Sequence, residues 1–277
     1  MKTILERLAA GETLIGDGAL GTMLIARGLE PGQSPESLNL SRPDWVEEVA
    51  RGYVEAGADF VTTNSFGGSP ARLARYGLED RLEELNRAAV AIARRVADGR
   101  AHVLASVGPS GRVLEPYGDG DPGAIAAGYE RQIRALAEAG ADLIGIETMT
   151  DLAEAVLATM TFEGTRRGFF TVMGVSIEQA ARGLAEAGAD IVGSNCGNGS
   201  EAMVAIAREF RARTSLPIAI QPNAGLPEMR GGAVFYPETP ETMAAHARAL
   251  RADGVAIIGG CCGTTPAHIR ALREALG

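Results

Sequence analysis

Short apolar runs alternate with amphipathic helical segments along the whole 277-residue chain. In the segment 43–56, for example, Trp45, Val49 and Tyr53 fall on one helical face. Alternating helices and buried strands are typical of parallel βαβ units. Eight apolar runs are candidate strands, at 14–16, 60–63, 103–107, 143–147, 158–161, 191–195, 218–221 and 255–259. We therefore predict an α/β fold, a single (β/α)8 TIM barrel spanning residues 1–277, rather than an open sheet.

One sequence boundary recurs between helix and strand. The pentapeptide Glu-Ala-Gly-Ala-Asp stands at 55–59, 138–142 and 186–190, each time between a helical segment and an apolar run. A glycine at this point is typical of a helix C-cap, because it adopts positive φ without steric cost. The repeat therefore supports the same helix-to-strand unit at three places in the chain.

The connection after the fourth strand is unusually short. Only residues 148–157 are available between it and the run at 158–161, whereas a parallel crossover usually takes a dozen or more residues. This spacing predicts a fourth helix of about two turns or an irregular barrel wall. The alternative is a fifth strand at 169–173, with 160–167 as part of the connection.

Polar residues follow the predicted strands at their C-terminal ends, where TIM barrels carry their functional groups. Three long loops, 28–37, 108–123 and 222–237, follow strands on the same side and are candidate walls of a substrate site. The polar set comprises Asp17, Asn64, Ser106, Glu147, Cys196, Asn223, Cys261 and Cys262.

Charge and composition narrow the class of partner. The net charge is -9 and no cluster of basic residues occurs, which argues against nucleic acid and anionic membranes as partners. No apolar run is long enough to span a membrane, and charges interrupt the N-terminal region where a secretory signal would be apolar. We therefore expect a cytoplasmic protein without a membrane partner.

The three cysteines change the picture most. An odd number of cysteines in a chain of this size is a poor disulfide framework and a better metal or nucleophile set. Cys196 taken alone also fits a small buried apolar residue, but the adjacent pair Cys261 and Cys262 between glycines does not. Strands six and eight end on one rim of a barrel, so the three thiols are predicted to converge there.

Three converging thiolates favour Zn²⁺, which prefers soft sulfur ligands in tetrahedral geometry. Three protein ligands leave one coordination position open, which is typical of a catalytic zinc site. A substrate thiol in that position would be held as thiolate near neutral pH. The sequence thus indicates attack by a substrate sulfur on an electrophilic carbon.

The segment Gly-Gly-Cys-Cys-Gly-Thr-Thr-Pro-Ala-His-Ile at 259–269 resembles the signature of the zinc-dependent homocysteine S-methyltransferases. This family includes the homocysteine-binding module of cobalamin-dependent methionine synthase and betaine-homocysteine methyltransferase. Further motifs of the family follow in order at 17–22, 63–67, 105–109, 147–149, 195–197 and 221–225. The resemblance implies a (β/α)8 barrel in which Cys196, Cys261 and Cys262 bind zinc, with the homocysteine sulfur as fourth ligand.

The same resemblance implies roles for the polar residues. Asp17 and Glu147 are expected to bind the homocysteine ammonium, and the backbone of Gly18 and Ala19 its carboxylate. These roles agree with elementary electrostatics, because carboxylates neutralise an ammonium and turn N–H groups receive an anion. Hydrogen bonds to the substrate or around the metal ligands are expected from Asn64, Asn195 and Asn223. The three histidines, His102, His246 and His268, are expected to be ordinary packing or surface residues.

The predicted function is methyl transfer to homocysteine, giving methionine. The family's cobalamin and folate modules have no counterpart in the chain, so a methylated corrinoid protein acting in trans is the favoured donor. S-methylmethionine, S-adenosylmethionine or betaine are the alternatives, with the loop 114–118 as a site for them. Two other readings stay open: a non-catalytic zinc- or thiol-binding barrel, and a methyltransferase for another thiol.

Overall fold

The computed structural model describes residues 1–114, 118–150 and 158–277. Among these residues the strands, in chain order, are β1 (Leu14–Ile15), β2 (Phe60–Thr62), β3 (His102–Val107), β4 (Leu143–Met149), β5 (Ala158–Met160), β6 (Glu163–Thr165), β7 (Gly168–Phe170), β8 (Val192–Asn195), β9 (Ile218–Gln221), β10 (Glu228–Arg230), β11 (Ala233–Phe235) and β12 (Ile257–Ile258). Eight of them form one parallel sheet in the order β1-β12-β9-β8-β5-β4-β3-β2. This is the predicted (β/α)8 barrel, which the structure confirms.

β1 and β2 stand at the two ends of this order and are joined largely through side chains. At one end of the seam, the Ile15 N–H donates to Asp59 Oδ2 at 2.8 Å, and the Asp59 N–H donates to the Ile15 carbonyl at 2.7 Å. At the other end, the Thr62 N–H donates to Asp17 Oδ2 at 2.6 Å. Two aspartate carboxylates thus replace ladder hydrogen bonds where the barrel closes.

Helices surround the barrel because each one buries a single apolar face. In α4, for example, Val46, Val49 and Tyr53 are buried against the barrel. The described helices are α1 (Ile4–Ala9), α2 (Gly21–Ala26), α3 (Leu38–Ser41), α4 (Pro43–Glu55), α5 (Pro70–Leu73), α6 (Leu82–Ala97), α7 (Pro122–Glu138), α8 (Ile177–Glu186), α9 (Ser200–Arg211), α10 (Pro240–Ala252) and α11 (Pro266–Leu276). None of the helices in the described part of the chain is both long and apolar enough to cross a membrane.

The barrel interior is apolar towards the N-terminal ends of the strands. Ile4 of α1 packs there with Leu14, Phe60, Ile191 and Ile257. This cluster fills the barrel at the N-terminal ends of the strands, so the open space lies at their C-terminal ends.

The fifth strand is where the first interpretation placed it. β5 pairs in parallel with both β4 and β8, and only residues 150–157 separate it from β4. The alternative fifth strand at 169–173 is wrong, because β7 pairs antiparallel with β6 in a separate hairpin. Gly168, at φ +116°, lets the chain reverse there. The predicted two-turn fourth helix falls on residues 151–157, outside the described residues.

Two hairpins rise from the C-terminal side of the barrel. β6 and β7 form the first, after β5, and β10 and β11 form the second within the loop 222–237. The loop 28–37 ends in a short 3-10 helix, Pro35–Ser37. The loop 108–123, and the stretch 114–118 within it, are described only outside residues 115–117.

Candidate metal and substrate site

The three cysteine thiols converge at the C-terminal rim of the barrel. Cys196 directly follows β8, and Cys261 and Cys262 follow β12. The Sγ atoms all lie within 4.8 Å of one another, and those of Cys196 and Cys262 are 3.9 Å apart. In the described part of the chain this is the one group of three such side chains close enough to share a metal ion.

The strand between them, β9, fixes both segments. The Cys196 N–H donates to the Gln221 carbonyl at 3.1 Å, and the Cys261 N–H donates to the Pro222 carbonyl at 2.7 Å. The two cysteine segments are therefore placed by consecutive carbonyls of one strand end, without sequence proximity.

The backbone of Cys196 is strained. Its φ is +59°, a left-handed conformation that costs a residue other than glycine about 1–2 kcal/mol. Beside the cysteine pair, a Cβ on Gly260 would lie 2.5 Å from Thr264 Oγ1, so only glycine fits there. Such strain persists where the surrounding structure imposes it, and it is a frequent property of functional sites.

The electrostatics of the cluster favour a cation. Hydrogen bonds from the other two thiols lower the pKa of Cys196 to about 3. Beside that thiolate, the pKa of Cys262 is raised to about 11, and that of Cys261 is raised well above its ordinary value. A single thiolate is thus stable without a cation, whereas a divalent ion would allow all three thiols to ionise.

The residues around the thiols also fit a metal ion. The Asn223 side chain hydrogen-bonds to Cys196, yet its buried Oδ1 atom has no hydrogen-bond partner among the described residues. The Tyr236 hydroxyl hydrogen-bonds to Cys262, and burial together with the Cys262 thiolate raises the pKa of Tyr236 to about 12. Three converging sulfur donors match the ligand preferences of zinc.

Two carboxylates, one buried and one half-buried, face the same cavity as the thiols. Asp17 follows β1, and its oxygens accept hydrogen bonds from the Thr62 N–H at 2.6 Å and the Thr62 hydroxyl at 2.7 Å. Burial raises the pKa of Asp17 to about 6, against the opposing effect of the Thr62 hydrogen bonds. The carboxylate is therefore held ready for a positive charge.

Glu147, on β4, has similar surroundings. Its Oε1 accepts from the Ser106 hydroxyl at 2.5 Å, and its Oε2 accepts from Asn195 Nδ2 at 3.1 Å. Burial raises the pKa of Glu147 to about 7, and the charge of Asp17 adds to the effect. Within the described structure neither Asp17 nor Glu147 has an ion-pair partner.

The cavity that joins these groups has a volume of about 280 Å³. Gly18 and Ala19 lie in its wall with both carboxylates and the three thiols. The Ala19 N–H already donates to Thr264 Oγ1 at 3.0 Å. A Cβ on Gly18 would lie 2.6 Å from the same oxygen, so the turn is closely packed against the cysteine loop.

The other predicted residues occupy different places. Asn64 lines the cavity, but its Nδ2 donates to the Pro35 carbonyl at 2.7 Å and to Asn39 Oδ1 at 2.9 Å, tying the 28–37 loop to the barrel. Asn223 is buried beside Cys196 and is not part of the cavity wall. Their roles toward a substrate stay predictions.

None of the three histidines lines the cavity. His268 is buried at the start of α11, where its Nδ1 lies 3.2 Å from the Thr265 backbone nitrogen. His246 Nδ1 lies 2.7 Å from the Ser200 hydroxyl, and His102 is buried in β3. The structure thus places them as packing residues.

Sequence reasoning missed three residues of the site. Thr62 and Thr148 stand at strand ends, a position that would have identified them. Tyr236 comes from the long loop after β9, and no local pattern indicates that it contacts a cysteine.

The comparisons with known proteins agree with this geometry. The sequence profile of the homocysteine S-methyltransferase family matches residues 14–276. The chain belongs to the homocysteine S-methyltransferase family. Methionine synthase from Mycobacterium tuberculosis is 36% identical over 294 residues, which cover 95% of this chain and 24% of that protein. Methionine synthase from Mycobacterium leprae is 34% identical, covering 99% of this chain and 25% of that protein. The chain therefore spans about a quarter of the length of these relatives.

Solved members of the homocysteine S-methyltransferase family share the fold over nearly their full length. The homocysteine methyltransferase MmuM from Escherichia coli, in its metallated form, superposes with a TM-score of 0.81 at 26% identity, covering 98% of this chain and 99% of that one. The apo form of MmuM gives a TM-score of 0.75.

Proposed function

We propose that this homocysteine S-methyltransferase family member transfers a methyl group to the thiol of homocysteine, producing methionine, with zinc bound by Cys196, Cys261 and Cys262. The observation that carries the proposal is the presence of three converging thiols and two carboxylates in one cavity. A metal-binding thiol cluster selects a sulfur, and two uncompensated carboxylates select an ammonium. Homocysteine contains both groups.

Asp17 and Glu147 would hold the substrate ammonium. Asp17 is buried, Glu147 is half-buried in the cavity wall, and neither has a cationic partner among the described residues, so the interaction with an ammonium is only partly screened by water. The backbone of Gly18 and Ala19 would receive the substrate carboxylate, as turn N–H groups do for anions. The Ala19 N–H donates to Thr264 Oγ1 in this structure, so it would share or exchange that partner when the carboxylate binds. Together these contacts orient the substrate with its sulfur towards the cysteines.

Zinc at the three thiols would supply Lewis acidity, which keeps a fourth sulfur ligand deprotonated near neutral pH. No side chain in the cavity is needed as a general base under this arrangement. The contribution of the protein is to hold the sulfur in line with the incoming methyl group and to bury the ammonium.

A methylated corrinoid protein acting in trans is our preferred methyl donor. This preference is supported by the two methionine synthase relatives, whose sequences extend far beyond the matched region. S-methylmethionine, S-adenosylmethionine and betaine are the alternative donors. A cytoplasmic location stays a prediction.

Two rival functions lead to different results. A non-catalytic zinc- or thiol-binding barrel would bind metal and homocysteine without transferring a methyl group, and an enzyme for another thiol would prefer a different acceptor. The test is methionine formation from homocysteine with methylcobalamin-loaded corrinoid protein and each of the other donors, compared with mercaptoethanol as acceptor. We expect turnover with at least one donor and strong preference for homocysteine. Zinc-loaded protein that is inactive with every donor would refute the proposal.

A further inference from the structure

Asn195, the last residue of β8, connects the carboxylate and thiol halves of the site. Its side chain is completely buried. Its Nδ2 lies 3.1 Å from Glu147 Oε2, 2.8 Å from Thr148 Oγ1 and 4.0 Å from Cys261 Sγ. One nitrogen atom thus lies within 4.0 Å of both the candidate ammonium ligand and a candidate metal ligand.

The orientation of this amide is determined by its partners. Asn195 Oδ1 accepts from the Thr148 N–H at 2.9 Å and from the Thr159 hydroxyl at 2.8 Å. A backbone N–H can only donate and a carboxylate can only accept, so the oxygen must face Thr148 N and the nitrogen must face Glu147. Rotating the amide would break the hydrogen bonds to the Thr148 N–H and to Glu147, although the threonine hydroxyls could reverse their direction.

Asn195 also holds strained backbone on both sides. Thr148 has φ +64°, which is highly unfavourable for a β-branched residue, and it exchanges two hydrogen bonds with Asn195. Cys196, the next residue in the chain, has φ +59°. Strain of this kind is kept only where other contacts impose it. Here the Asn195 side chain contacts the strained Thr148, and its backbone leads directly into the strained Cys196.

We propose that Asn195 is a positioning residue that fixes the separation between the Glu147 carboxylate and the cysteine thiols, and thereby makes the site select homocysteine over cysteine. This inference rests on the proposed function. Homocysteine has one methylene group more than cysteine between its amino group and its sulfur, so a rigid separation fits only one of them. A fitted site discriminates one methylene by about 10- to 200-fold.

Two variants loosen this link in different ways. Asn195→Asp keeps the oxygen that accepts from Thr148 and Thr159, but it removes the donor to Glu147 and places a like charge beside it. Thr148→Gly keeps the Asn195 side chain and its bond from the backbone N–H at position 148, but it removes the hydroxyl that accepts from Asn195 Nδ2. It also relieves the left-handed strain, so the backbone next to Glu147 gains freedom while the unfolding midpoint stays close to that of wild type. Asn86→Asp is the matched control, because Asn86 is buried and hydrogen-bonded to the Gly68 and Leu82 carbonyls, away from the thiols.

The measurement is binding rather than turnover. Homocysteine and cysteine are titrated into the Co²⁺-substituted proteins, with the thiolate-to-cobalt absorption as signal, and zinc content and unfolding midpoint are recorded in parallel. We expect wild type and Asn86→Asp to prefer homocysteine strongly, and Asn195→Asp and Thr148→Gly to lose about tenfold or more of that preference while still binding metal.

The outcomes separate this inference from the proposed function. If wild type binds neither thiol, the proposed function fails and the inference fails with it. If wild type discriminates and both site variants discriminate equally well, only the role of Asn195 is refuted. A variant that loses stability or zinc with unchanged preference, as expected for a purely structural asparagine, also refutes it.

Discussion

The carboxylate of Asp17 is bound at both oxygens by one residue, Thr62, through its N–H at 2.6 Å and its hydroxyl at 2.7 Å. These bonds oppose the effect of burial, which raises the pKa of Asp17 to about 6. The threonine hydroxyl therefore helps to keep Asp17 ionised at neutral pH, the state that an ammonium requires.

Replacing Thr62 with valine should shift the acidic side of the pH–activity profile for homocysteine to higher pH. Loss of a hydrogen bond to a charged group raises the pKa of Asp17 further, by about one unit. Binding is strong above the pKa of Asp17 and is lost as the pH falls through it. The measurement is kcat/KM for homocysteine from about pH 5 to about pH 8, a range that spans the pKa of Asp17, with the zinc content confirmed at each pH. Thr171→Val is the control, because Thr171 is also buried and its hydroxyl donates to the Thr150 carbonyl. An acidic limb of the pH profile that does not shift in Thr62→Val would contradict the expectation.

Glu147→Gln should abolish homocysteine binding yet stabilise the substrate-free fold. Burial raises the pKa of Glu147 to about 7, so ionisation of this group costs folding free energy. Below its unfolded pKa the group is protonated in both states and the variant has no advantage. As the pH rises towards 7 the wild type loses stability, and above it the variant should be about 1–3 kcal/mol more stable.

Urea unfolding of wild type and Glu147→Gln is compared at two pH values. The first, pH 8, lies about one unit above the raised pKa of Glu147, and the second, about pH 4, lies just below the ordinary pKa of a glutamate. Both proteins are measured without metal, so that zinc does not contribute to the difference. A variant that is less stable than wild type at the higher pH would show that Glu147 is not destabilising in its buried position.

Serine at position 262 should remove most of the zinc. A serine hydroxyl is a much weaker zinc ligand than a thiolate. The loss of zinc affinity should therefore exceed the effect of about 10- to 100-fold that is typical of residues which only contact the ligands. Zinc per chain after dialysis against a chelator measures the change. Ser194→Ala provides a control in the strand that leads to Cys196, since the buried Ser194 hydroxyl has no hydrogen-bond partner in the part of the chain that the structure describes. Full zinc retention in Cys262→Ser would argue against the three-cysteine site.

Tyr236→Phe should lower the affinity for zinc without abolishing zinc binding. The hydroxyl hydrogen-bonds to Cys262, and a residue in this position typically contributes about 10- to 100-fold to metal affinity. Competition with a chromophoric chelator gives the affinity. Tyr76→Phe, at the cavity rim and away from the thiols, should bind zinc like wild type.

The sequence predicted the barrel and its thiols because both depend on local patterns. Buried strands read as apolar runs, and the strand ends fix which rim Cys196 and Cys262 share. The hairpins β6–β7 and β10–β11 were not predicted, because they follow strands as excursions whose pairing depends on turn geometry. The contact of Tyr236 with Cys262 and the hydrogen bonds around Asn195 could not be predicted either, because they join residues that are far apart in the sequence.

The seam between β1 and β2 gives the two acidic residues of the cavity different meanings in any mutational study. Glu147 lies just past the last β4 residue that pairs with β3, at an irregularity in the pairing of β4 with β5. Its replacement therefore leaves the strand ladder intact and alters the cavity wall together with the contacts to Ser106 and Asn195. Asp17 also fastens the barrel where adjoining strands lack a ladder, so its replacement alters the wall that surrounds the substrate. Loss of activity in an Asp17 variant therefore combines a missing charge with a weakened barrel seam, whereas loss in a Glu147 variant combines the missing charge with altered contacts to Ser106 and Asn195.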